Sequence, residues 1–437
     1  MAGVSANVIR LLGVATPLYL SMAAASASAM VSSAALGRFH TLALAAFAAA
    51  SAVYTPAVSA VTGAVRGSMP FIAEAREDAQ RLRGVLTHAL SLALALGALG
   101  AGAVLCFPVL AAAIGIPREV LASLGALPAL LAGALAVAAV NAVAVSALVS
   151  LRRPRPVLYS GLAAAATSAA LALLLVPGAG PLPPLGAAGA GAAVLGSQVI
   201  SAAIAGGGLR AELARRPGAS PGARRRPEMR EVARQARVGV PMAGTVLVKF
   251  GVLGLVTLAA SRISAAAGAA HSIATTLVGI TFAVAVAVGQ ALIPLLSTPD
   301  ATATTQRAGM RAALGITTVA LVLFAAVLIC AGRPIAGMFS RDPSVLAILT
   351  RIMPIVAVSI VLDGAQAVFG FGLTALKRSS VSFTIFSLVY GALALVSLPA
   401  SMASGMSGLW VAIAGANALA AMGQCLAFSR AAVQVKK

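Results

Sequence analysis

The sequence predicts an all-α integral membrane protein of 12 transmembrane helices in two pseudo-symmetric six-helix lobes. Three observations carry that reading. Hydrophobic residues make up 60% of the 437-residue chain and charged residues 9%, with a mean hydropathy of +1.01. Soluble domains carry about 25% charged residues, so a water-soluble globule is excluded. The apolar runs have the length of membrane-spanning helices and do not alternate with a period of two, which excludes a closed barrel. The chain also repeats itself at offsets of 222 to 226 residues.

Taken in order, the first run, 8–35, is too long for the apolar core of a signal peptide and carries no convincing cleavage site, so it reads as a span. Runs at 41–65, 86–114, 122–150, 157–177 and 186–207 follow it and complete an amino-terminal lobe, 1–210. A basic linker, 211–237, leads to a carboxyl-terminal lobe, 238–437. Its runs lie at 238–260, 268–297, 310–331, 346–376, 380–400 and 407–428. With the amino terminus inside, cytoplasmic segments hold 24 of the 31 Lys and Arg residues. Six lie outside (Arg38, Arg118, Arg262, Arg333, Arg341 and Arg351), and Lys249 falls within a span. By the positive-inside rule this asymmetry places both termini in the cytoplasm of a cell membrane.

The net charge of +21 has the same origin. No aromatic residues interleave the run Arg224-Arg225-Arg226, so topology explains it without nucleic acid, and anionic headgroups of the inner leaflet are the expected contact. Cys106, Cys330 and Cys425 lie in separate apolar runs, and His40, His88 and His271 are scattered. Neither set forms a disulfide framework or a metal-ligand spacing.

The repeat is carried by matched prolines and arginines. An offset of 224 lays Pro17 on Pro241, Arg38 on Arg262 and Pro70 on Pro294. An offset of 226 lays Pro128 on Pro354 and Arg152 on Arg378, and one of 222 lays Pro177 on Pro399. Each half has an even number of spans, so both enter the membrane in the same direction, and a site is expected between them near the midplane.

The chain has no Walker loop, catalytic Ser/His/Asp set, zinc pattern or Rossmann glycine fingerprint. An ion-driven solute carrier remains. Tyr54, Asn141, Gln290, Gln366, Tyr390, Asn417 and Gln424 are polar residues within spans, where most such groups hydrogen-bond between helices; Tyr54, Asn141, Gln290 and Tyr390 are candidate cavity-lining groups. Asp363 and Lys249 stand apart. Asp363 is the only one of ten acidic residues placed inside the bilayer, where a carboxylate must face a bundle interior or a wet cavity. Lys249 lies about 18 Å and Asp363 about 21 Å from the same membrane edge, at about 1.5 Å per residue. Opposite charges at one depth predict an ion pair in one cavity, and Asp363, Lys249 and Gln366 are the candidate ion-coupling or substrate residues. Burial favours the neutral acid and a nearby ammonium favours the carboxylate, so the pair can have two states.

At this point the chain resembles the multidrug and toxic compound extrusion (MATE) transporters over nearly all its length. Pro17 with Gly37-Arg38 is similar to the family's first span and outer loop. Pro241, followed by Ala269-Ala270-His271, is similar to the seventh span and the start of the eighth. Leu185-Gly186-Ala187 resembles the start of the sixth span. Leu362-Asp363-Gly364-Ala365-Gln366 resembles the acidic motif of the tenth, and Gly408-Leu409-Trp410 the opening of the twelfth. The resemblance implies a V-shaped pair of lobes and export of drug-like molecules or secondary metabolites by antiport of H+ or Na+, with no other cofactor and a monomeric state. Three positions depart from the family. Its first-span Asp falls at Ser32, the seventh-span Glu of some members at Lys249, and the fifth-span Asn/Asp cluster at small residues near Thr167 and Ser168. Asp363 alone carries over. The alternatives are a lipid-linked precursor flippase of the same superfamily and a 12-helix major facilitator. A flippase would carry more basic residues along its cavity. The facilitator's loop signature is absent from Arg66-Gly67-Ser68-Met69-Pro70-Phe71.

The topology is open to direct test. A reporter fused after Arg226 is expected to read cytoplasmic, and one within Pro181-Leu182-Pro183-Pro184 external. An external reading at Arg226 would overturn the span count.

Overall fold

A computed structural model describes residues 2–178, 183–216 and 227–434. Arg224-Arg225-Arg226, Pro181, Leu182, Lys436 and Lys437 lie outside the described residues. The described residues fold into 15 helices: α1 (Ala2–Phe39), α2 (Thr41–Arg66), α3 (Met69–Glu74), α4 (Ala79–Leu105), α5 (Phe107–Ala113), α6 (Arg118–Ala122), α7 (Leu127–Ser150) and α8 (Pro154–Leu175) come first. They are followed by α9 (Gly186–Ala214), α10 (Met229–Ile263), α11 (Ala265–Leu296), α12 (Ala303–Cys330), α13 (Gly332–Phe339), α14 (Pro343–Ala375) and α15 (Ser379–Gln434). Eleven helical stretches among them are long and apolar enough to cross a bilayer.

The eleven stretches hold twelve spans because α15 holds two. Its backbone leaves the helical region at Ser404 and Gly405, and Gly405 takes a φ of +58°, which glycine adopts without a Cβ penalty. Tyr390 bonds to Asn417, and Gln424 to Ser382. Both pairs straddle the same break, so the two halves of α15 run antiparallel. The expected runs 86–114 and 122–150 are also cut differently from the prediction. Cys106 separates α4 from α5, whose second residue is Pro108, and α7 begins only after Gly125, at a φ of +46°. Hydropathy carries through such breaks, whereas the hydrogen-bond ladder does not.

Two compact units emerge, Pro17–Ala243 and Met1–Thr16 with Gly244–Lys437. The boundaries fall inside α1 at Pro17 and inside α10 three residues past Pro241, where proline already interrupts the ladder. In the first unit α7 is the hub: it packs against α2, α4 and α9, and α8 packs on α9. Leu127, Leu131 and Leu135 recur at helical spacing along its buried face. Gly67 and Gly239 bring α10 onto the end of α2 backbone to backbone; a Cβ on Gly239 would overlap the Ala64 carbonyl. Glu212 of α9 is braced by Arg153 at 3.1 Å and Arg216 at 3.3 Å.

In the second unit α14 is the hub, packed against α11, α12 and α15. Asp342 caps it through the Ser344 amide, and the Ser344 hydroxyl and amide together hold that carboxyl below its ordinary value. The repeat pairs α7 with α14, and their ends are closed in the same way. The amides of Arg152 and Arg153 bond to the carbonyls of Val149 and Leu148; those of Lys377 and Arg378 bond to Thr374 and Leu373. Arg152 and Lys377 both take a φ of +58°. A left-handed residue just past the last turn satisfies carbonyls the helix leaves open, a position that glycine usually fills.

A left-handed conformation costs a side-chain-bearing residue about 1–2 kcal/mol, and a β-branched one is a genuine outlier there. In thermal unfolding of the detergent-solubilised protein, Lys377→Gly is therefore expected to melt at or above the wild-type temperature and Lys377→Val below it. The reverse order would show that side-chain contacts, not the backbone, set this cap.

Candidate functional site

Among the described residues, the second unit holds a buried ion pair between Asp363 and Lys249. Asp363 sits deep in α14, 20 residues past Pro343 and 12 before Ala375. Lys249 lies on α10, beyond Pro241. Its ammonium Nζ donates to both carboxylate oxygens of Asp363, each at 2.8 Å. The ring of Phe282, on α11, lies 3.7 Å from Nζ, face-on to the charge. Three helices thus converge on one ammonium. The Asp363 side chain is 3% exposed and that of Lys249 is 18% exposed, so the pair is approached from the lysine side.

The carboxylate is embedded in a polar stripe. Ser359, Asp363, Gln366 and Gly370 recur at helical spacing on one face of α14. Asn417 of α15 accepts from the Tyr390 hydroxyl at 2.7 Å and donates to Ser359 Oγ at 3.2 Å. On the other side of Asp363, Gln366 donates to Gln424 at 3.4 Å, and Gln424 donates to Ser382 Oγ at 3.0 Å. Tyr390 also lies within electrostatic reach of Asp363. Behind the acid, Gly364 lets Leu321 and Thr317 of α12 pack close.

The structure therefore brings Lys249 and Asp363 together, with Gln366 and Tyr390 in the adjoining networks rather than on the carboxylate. Gln290 is buried on α11, eight residues past Phe282. Tyr54 and Asn141 belong to the other unit, on α2 and α7. Asn141 donates to Ser201 Oγ at 2.9 Å, an interhelical bond within that unit. Ser32, where the resemblance expects an acid, bonds only to the Ser28 carbonyl of its own helix among the described residues. Thr167 and Ser168 lie on α8, in the same unit.

Two contacts were not foreseen from the sequence. Phe282 is one aromatic residue among 13 Phe, and nothing in its neighbours marks a ring turned toward a charge. His271 is fully buried with its ring centroid 5.5 Å from that of Trp410. Its two ring nitrogens and the Trp410 indole nitrogen have no hydrogen-bond partner among the described residues.

Similarity to known proteins points to the same part of the chain. The family model described as MatE matches residues 241–398, which contain Lys249, Phe282, Asp363 and Tyr390. A probable multidrug resistance protein NorM from Aromatoleum aromaticum is 29% identical over 374 residues, covering 82% of this chain and 78% of its own. A protein of the same description from Deinococcus radiodurans is 29% identical over 449 residues, covering 96% and 94%. Among solved structures, the MATE transporter VcmN of Vibrio cholerae superposes with a TM-score of 0.85 at 17% identity, covering 99% and 98%. A MOP superfamily transporter from Pyrococcus furiosus, described as having a binding pocket of reverse polarity, gives 0.86 at 16% identity, covering 99% and 97%.

Removing one partner of a buried pair strands the other, at a cost of about 3–5 kcal/mol. Lys249→Ala is accordingly expected to lower the melting temperature strongly, and Lys249→Ala with Asp363→Asn to recover most of the loss. Additive losses in that double-mutant cycle would mean that the two groups are not energetically coupled.

Proposed function

We propose that this chain is a transporter of the MatE family, a multidrug exporter that moves small amphipathic molecules out of the cell in exchange for H+ or Na+ through Asp363. The observation that carries this reading is the Asp363–Lys249 pair, buried in the interior of the carboxyl-terminal unit. A fixed structural brace inside a bilayer is built more cheaply from apolar residues, so a charge pair held there marks an exchange site.

Two states follow from the pair. In one, the carboxylate holds the ammonium, as the structure shows. In the other, an ion on Asp363 breaks the pair, α14 is free to shift at Pro354, and Lys249 is released from the carboxylate. Substrate that prefers one state and an ion that prefers the other give antiport, since a ligand moves an equilibrium only by its differential affinity. The carrier works in the cell membrane with both termini in the cytoplasm, in contact with anionic headgroups there, and acts as a monomer. The relatives' multidrug description supports a drug-like or secondary-metabolite cargo.

Flux of a fluorescent dye in proteoliposomes under an imposed pH or sodium gradient tests the proposal. Asp363→Asn is expected to abolish gradient-driven flux while dye binding persists, and Asp363→Glu to retain part of it. Unchanged flux in Asp363→Asn would overturn the role of this carboxylate.

A further inference from the structure

We infer that Lys249 is a tethered cation that fills the position a mobile metal cation would need at Asp363, so the site exchanges protons and excludes sodium. The inference rests on the reading of Asp363 as the coupling group and goes one step beyond it, to which ion that group accepts.

The geometry carries it. Both oxygens of Asp363 are engaged by one nitrogen at 2.8 Å, and the carboxylate is 3% exposed, which leaves it no open side. A hard cation is held by a shell of several oxygen ligands. Near Asp363, two polar oxygens are engaged in hydrogen bonds, and the Thr317 hydroxyl is one buried oxygen without a partner among the described residues, which alone makes no such shell. The Tyr390 hydroxyl donates to Asn417 Oδ1, and Gln424 Oε1 accepts from Gln366. From α11 the site receives the face of Phe282, which offers a π surface and no lone pair. From α12, Leu321 and Thr317 pack at Gly364. Among the described residues, the charged group on Asp363 is Lys249 of α10, and Tyr390 of α15 is the further titratable group with an electrostatic interaction with it. A metal ion would have to displace an ammonium that cannot diffuse away, and a tether keeps its group at high effective concentration.

A proton meets none of these obstacles. It adds to one carboxylate oxygen and needs no coordination shell. The released ammonium keeps its positive charge and remains over the Phe282 face, where a cation is stabilised. Lys249 is therefore a specificity-determining residue: its charge decides which ion competes for Asp363.

The test is sodium binding by the purified full-length protein, which requires no export. Melting temperatures are compared in equal concentrations of sodium chloride and choline chloride, since an ion that binds the folded state alone raises them. The wild type is expected to melt at the same temperature in both salts. Lys249→Met, which keeps the bulk of the side chain and removes the charge, is expected to gain a sodium-specific rise of a few degrees. Adding Asp363→Asn to it is expected to abolish that rise. Sodium-specific stabilisation of the wild type that Asp363→Asn removes would overturn the inference. So would a folded, monodisperse Lys249→Met that ignores sodium. If Lys249→Met does not fold, Lys249→Gln takes its place, and the wild-type comparison decides alone if neither folds. Loss of the coupling role would appear in the flux assay instead, so the two ideas fail separately.

Discussion

A carboxylate taken into hydrocarbon and an ammonium taken into hydrocarbon are each unfavourable by several kcal/mol, and only close pairing with further hydrogen bonds offsets that. Much of the carboxyl-terminal unit follows from this constraint. Lys249 of α10 reaches Asp363 of α14 within that unit, and α11 places Phe282 against the same ammonium. The acid itself is fixed from behind by close packing at Gly364, and the stripe above and below it is satisfied by Asn417, Gln424, Ser359 and Ser382. A polar stripe of this kind, with its members largely paired, holds a helix in one rotation about its own axis. Asp363 is thereby aimed at Lys249.

Backbone satisfaction imposes the second constraint. In lipid every amide and carbonyl needs a partner within the protein, so the chain breaks its helices only where another arrangement satisfies the freed groups. The break at Ser404 and Gly405, the caps at Arg152 and Lys377, and the prolines at which the two units divide are all places of this kind. The equivalent caps on α7 and α14 show the internal repeat in hydrogen bonds rather than in letters, because the sequence around them has diverged while the bonded carbonyls have not.

Much of this was readable in advance, for reasons that differ by feature. Spans are long apolar runs, and hydropathy reports them whatever their packing. The pairing of Lys249 with Asp363 was readable because helix rise converts residue number into depth, and two lone opposite charges at one depth have few other partners. What a residue meets sideways is set by helix rotation and packing, which carry no local signature. Phe282, Ser359 and Ser382 were therefore missed, as was the bond from Gln366 to Gln424. Helix ends were read imperfectly where apolar residues continue through a break, as at Cys106 and Gly125.

The pair also has an electrical consequence. With the carboxylate and the ammonium together the site carries no net charge, and the field across the membrane does no work when it moves. With a proton added to Asp363 the same site carries one positive charge through Lys249. One elementary charge crossing 100 mV is worth about 2.3 kcal/mol. Under the proposed proton exchange, an inside-negative voltage draws the protonated form inward and leaves the paired form indifferent, so the resting potential biases one half of that proposed cycle before any concentration gradient is counted.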